Sequence, residues 1–63
     1  MNIGDEVELT VRRAGFAPGA KGRVEAVKGN GTINVSINED SGGKPVSPPF
    51  PDLAAPASSY TVL

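Results

Sequence analysis

The sequence predicts an all-β domain, a small barrel of about five short strands. Three observations lead there. Two segments, Glu6-Val7-Glu8-Leu9-Thr10-Val11-Arg12 and Thr32-Ile33-Asn34-Val35-Ser36-Ile37-Asn38, alternate polar with apolar residues at the period of two that a half-buried strand requires. Glycines and prolines, 8 and 6 of them, punctuate the chain where such runs stop. No segment promises a helix of ordinary length, and 63 residues make a single domain, residues 1–63.

The elements follow in order. Gly4-Asp5 is a turn signal, and the first strand after it puts Val7, Leu9 and Val11 on one face. Residues 13–22 form a loop punctuated by glycine and proline, with Phe16 as an apolar plug that ties it down. Arg23 to Lys28 reads as the second strand and Thr32 to Asn38 as the third. Asn30-Gly31 between them is a strong hairpin signal, because both positions of a two-residue turn need positive φ. That turn would set Ala26 opposite Val35 and Val24 opposite Ile37. Val27 would then face outward opposite Asn34, unless a bulge rotates it inward, and the sequence leaves this register open. Residues 39–59 are expected as a long proline- and serine-rich loop, since Pro45, Pro48, Pro49, Pro51 and Pro56 remove backbone donors and discourage a central strand. It is either an ordered extended loop pinned by Val46, Phe50 and Leu53 or a flexible one. Ala57-Ser58-Ser59 suits one short helical turn, and Tyr60-Thr61-Val62-Leu63 closes the chain as a last short strand. The expected core is Val7, Leu9, Val11, Val24, Ala26, Ile33, Val35, Ile37 and Val62, with Phe16, Phe50 and Tyr60 as lids.

Composition narrows the chemistry. Without cysteine there is neither a disulfide nor a thiolate metal site, and without histidine the commonest general base and metal ligand are gone. The serines have no histidine to activate them, and Glu39-Asp40 lacks the spacing of a calcium loop, so no catalytic residue, metal site or cofactor is expected. The expectation is a non-enzymatic protein. The N-terminus has no basic start or apolar run, and no segment approaches transmembrane length, which points to a soluble, cytoplasmic chain without membrane contact. Net charge is −1, but it is unevenly spread: Arg12, Arg13, Lys21, Arg23 and Lys28 lie against Glu25 alone, while Asp5, Glu6 and Glu8 precede them and Glu39, Asp40 and Asp52 follow.

Gly15, Pro18, Gly19, Gly22 and Val24 together read G-x-x-P-G-x-x-G-x-V. This segment resembles the KOW motif of SH3-like barrels, found in ribosomal proteins and NusG-type transcription factors, and the likeness runs over roughly residues 10–38. It implies an SH3-like five-stranded barrel in which basic loop residues contact RNA. Pro18 stands where that family usually has lysine, so the role would fall to Lys21 and Arg23 with Arg12 and Arg13. The order Asn2-Ile3-Gly4-Asp5-Glu6-Val7, Gly22 to Val27 and Gly43 to Pro48 is also similar to the variable chain of ferredoxin–thioredoxin reductase, a non-catalytic barrel that supports an enzyme partner. The chain departs from it after Pro51.

Two functions follow as expectations. The first is an accessory module that binds a protein partner, with Phe16 and Phe50 as apolar contacts. The alternative is a KOW-type module that contacts RNA or a ribonucleoprotein through Arg12, Arg13, Lys21 and Arg23; only three aromatic residues stand available for base stacking. The P-x-x-P spacings from Pro45 to Pro51 are read as part of the loop rather than as a polyproline ligand. Self-association through an exposed edge such as Val7 to Val11 is left open.

Overall fold

A computed structural model describes all of residues 1–63. The chain forms β1 (Glu6–Leu9), β2 (Lys21–Val27), β3 (Thr32–Glu39), β4 (Pro45–Pro56), a single 3-10 turn (Ala57–Ser59) and β5 (Tyr60–Val62). They make one antiparallel sheet in the order β4-β3-β2-β1-β5, so the chain is all-β, with its last strand beside its first. No helix is long and apolar enough to cross a membrane.

The alternating runs do what their period requires. Val7 and Leu9 from β1, Val24 from β2, and Ile33, Val35 and Ile37 from β3 are fully buried, joined by Ala20, Ala55 and Tyr60. Each aliphatic side chain so buried contributes about 1.5–3 kcal/mol relative to an exposed one. Val11 and Val62 are not core residues as expected. β1 stops at Leu9, so Val11 lies in the loop beyond it, and both side chains are about half exposed. Ala26 is only partly buried, Tyr60 is core rather than lid, and Ala20 and Ala55 complete the core unannounced by any strand pattern.

Gly22 shows why β2 can bend where it enters the sheet. A Cβ there would lie 2.5 Å from the Ser36 carbonyl oxygen and 2.8 Å from Val35 Cγ1, so only glycine fits between β1 and β3. The β2–β3 hairpin takes the bulged alternative. Val27 pairs with Ile33, Ala26 with Asn34 and Val24 with Val35, with Glu25 as the extra residue, and Val27 is left about half exposed. Asn30-Gly31 is therefore not a two-residue turn. The Lys28 amide donates to the Thr32 carbonyl around a three-residue loop, and of Asn30 and Gly31 only Gly31 has positive φ. The two-residue turn with positive φ at both positions lies instead at Ala14-Gly15, where Arg13 and Phe16 exchange backbone hydrogen bonds.

The largest correction concerns residues 39–59. Glu39 closes β3 and a tight turn follows, but residues 45–56 are a twelve-residue strand, not a loop. Five of those twelve residues are proline, and β4 is tolerated because it is an edge strand. Pairing with β3 sets Phe50, Asp52 and Ala55 opposite the buried Ile37, Val35 and Ile33. The bulge between Asp52 and Ala55 puts Ala54 at φ 53°, and the Ala54 amide donates to Asn34 Oδ1. β1 lies inside the sheet, between β2 and β5, so the expected edge from Val7 to Val11 is not free for a second copy.

Candidate functional site

The loop from Thr10 to Ala20 carries most of the residues of interest, and its inner turn fixes them. With Ala14 and Gly15 at the tip, Arg13 and Phe16 face each other across a two-residue turn. Phe16 packs onto the core and meets Phe50 of β4 edge to face, ring centroids 5.6 Å apart at 62°. Phe50 nevertheless remains 40% exposed. Nearby, the β3–β4 turn is held by Asp40, whose Oδ1 accepts hydrogen bonds from the amides of Gly42 and Lys44, both at 2.9 Å. Loop and turn face each other across an open cleft of about 510 Å³, with Arg12, Gly15 and Phe16 on one side and Asp40, Ser41 and Lys44 on the other.

The expected basic face does not assemble as a unit. Arg13 turns inward, its Nε donating to both carboxylate oxygens of Asp52 at 2.9 and 3.2 Å. Lys21 pairs with Glu39 of β3 at 3.3 Å, both side chains partly exposed. Arg23 stands opposite Glu6 in the β1–β2 ladder without forming an ion pair, and Arg12 and Lys44 have no ion-pair partner either. Of the four basic residues expected to act together, two are neutralised by carboxylates of this chain, Arg12 lines the cleft, and Arg23 lies apart on β2.

Asp52 is no member of a solvated acidic background, contrary to what its place in the sequence suggests. It is 4% exposed, faces Val35 across the ladder, and accepts a 2.6 Å hydrogen bond from the Tyr60 hydroxyl as well as those from Arg13. Desolvation by burial, then the hydrogen bond donated to Asp52 and the negative charge on that carboxylate, raise the pKa of Tyr60 well above its ordinary 10.0, with Arg13 opposing weakly. The phenol is thus a fixed donor at any ordinary pH. No buried side-chain polar atom is left without a partner. One signal for this cluster was available: Asp52 is the only charged side chain after Lys44, and Tyr60 is the only tyrosine.

The arrangement offers an aromatic edge, a guanidinium and an ammonium around one cleft, with the part-buried Arg13–Asp52 ion pair holding the loop in place. No three acidic side chains converge closely enough to hold a metal ion. Compared with protein-family models, curated proteins and solved structures, the chain matches none.

Proposed function

We propose that this chain is a non-catalytic binding or accessory module, an SH3-like barrel with a KOW-type loop, that engages a protein partner through the surface around Phe16 and Phe50. The observation that carries this reading is the aromatic pair in which Phe16 is partly buried and Phe50 is left exposed. Phe50 projects from a proline-rich edge strand against Phe16 at the rim of the cleft, where an apolar anchor of a partner could cover both rings. The five-strand sheet with β5 beside β1, and the three-glycine loop returning into β2 at Gly22, support the barrel part of the reading. The nucleic-acid reading ranks second because Arg13 and Lys21 are engaged within the chain.

The test is affinity capture from native lysate, with and without nuclease, using the natural chain and Phe50→Ser. A single protein recovered in the presence of nuclease and weakened about tenfold or more by Phe50→Ser supports the proposal. Recovery that disappears with nuclease, and that falls steeply with salt, overturns it in favour of nucleic-acid contact.

A further inference from the structure

We propose that the cleft between the β1–β2 loop and the β3–β4 turn receives an acidic segment of the protein partner, with a carboxylate held between Arg12 and Lys44 and an adjacent apolar side chain against Phe16. This inference rests on the protein-binding reading above and specifies the chemistry of its ligand. The chain has six basic residues, and two of them, Arg13 and Lys21, are neutralised internally. Of the four without an ion pair, Arg12 and Lys44 line the same cleft from opposite walls, while Arg23 lies on β2 and Lys28 at the β2–β3 hairpin.

The one carboxylate in the cleft does not cancel them. Asp40 Oδ1 is committed to the amides of Gly42 and Lys44, so it holds the turn together and stays turned toward its backbone. The cleft is therefore locally positive on a chain whose net charge is negative. An acidic ligand is attracted here and repelled by the remaining surface, which is the complementarity that selects a register and speeds encounter. Arg12 supplies the planar fork that suits a carboxylate and Lys44 a mobile point charge. The walls are set by groups that are already ordered. Arg13, next to Arg12, is locked to Asp52, and Gly19 lets the loop approach the turn to within 3.4 Å of Ser41 Cβ, measured from the Cβ position that glycine leaves empty. Little ordering is then left for the ligand to impose, apart from the two long cationic side chains.

The occupant is an internal run of aspartate or glutamate beside an aromatic or aliphatic residue. A nucleic acid offers phosphates to the same cations, but it would have to cross the acidic remainder of the surface at every further phosphate.

The experiment uses the full chain and a labelled six-residue peptide carrying three glutamates beside one phenylalanine. Its counterpart with glutamine in place of glutamate, inorganic phosphate and a single-stranded oligonucleotide serve as competitors, read by fluorescence anisotropy and amide chemical shifts. The acidic peptide is expected to bind and to shift the amides of Gly15, Phe16 and Gly42. Affinity should weaken about tenfold in the Arg12→Gln, Lys44→Gln double variant and remain within about twofold in the Arg23→Gln, Lys28→Gln double variant, which removes the same two charges elsewhere. Circular dichroism confirms that these surface variants fold. Equal binding of the glutamine peptide, no loss in the double variant, or more effective competition by phosphate or the oligonucleotide overturns the inference. A partner that is lost with Phe50→Ser but retained by the Arg12→Gln, Lys44→Gln variant overturns this inference alone and leaves the protein-binding reading standing.

Discussion

Arg13 and Asp52 lie 39 positions apart and form the one ion pair in which the carboxylate is buried. The energetics of that site are lopsided. Asp52 satisfies both Arg13 and the Tyr60 hydroxyl, so removing it leaves a guanidinium and a buried phenol without their acceptor. Asp52→Ala is expected to cost about 2–3 kcal/mol, against about 1–2 kcal/mol for Tyr60→Phe, which leaves the Arg13 contact in place. Urea denaturation of the two variants gives the order directly, and a larger loss for Tyr60→Phe would contradict it. Tyr60 also reports on its own state, since the chain has one tyrosine. Its folded pKa is raised above the ordinary 10.0. The unfolded chain therefore releases this proton first as pH rises, and the stability carried by the neutral, hydrogen-bonded phenol is complete below pH 10 and declines above it. Phenolate absorbance should appear together with unfolding in the natural chain; titration near pH 10 in a chain that is still folded would contradict the buried hydrogen bond.

At the scale of the element, Gly22 and β4 show two different uses of residues usually read as breakers. Gly22 is inside a strand because two neighbours leave no room for a methyl group. Gly22→Ala should destabilise by about 2–3 kcal/mol or more, because the nearest obstacle is the Ser36 carbonyl, which is backbone and cannot rotate away. Gly29→Ala, where a Cβ would meet nothing within 4 Å, is the comparison. It is expected to stay within about 0.5 kcal/mol in the same thermal melt. β4 is the element that sequence reading missed. Its alternation is real but interrupted, because Phe50 and Asp52 share a face with Ala55 only after the bulge at Ala54 changes the phase. Prolines then mask the strand further, although at an edge their missing donors are harmless and discourage pairing with another chain. The alternating runs around Val7 and Ile33 to Ile37 were legible because nothing interrupts their period.

For the whole molecule, the two outermost strands, β4 and β5, are joined through side chains: Asp52 of β4 binds Tyr60 of β5 and Arg13 of the β1–β2 loop. The 3-10 turn adds a second tie, with the Ala57 amide donating to Gly31 and the Thr10 amide to Ser59. Loop, edge strand and closing strand should therefore melt together. Tyrosine fluorescence, which follows β5, and far-ultraviolet circular dichroism, which follows the sheet, are expected to give coincident transitions. Loss of the Tyr60 signal before the sheet melts would show that β5 docks independently. The same tie limits the site, because Arg13 is committed to holding the loop and, of the loop's two arginines, Arg12 alone is free to face the cleft.

Sequence alone determined the all-β class, the polar-apolar phase of β1 and β3, the short turn at Ala57–Ser59 and the placement of Tyr60 in a closing strand. These depend on neighbours a few positions away, where side-chain period and turn chemistry act. Tertiary structure decided the strand from Pro45 to Pro56, the bulged register at Glu25, the burial of Asp52 and the division of basic residues between internal pairs and the cleft. Each of those depends on which distant residue lies opposite. Val35 across from Asp52 turns a lone carboxylate inward, and an inward carboxylate must find Arg13 and Tyr60 or remain an unpaired buried charge.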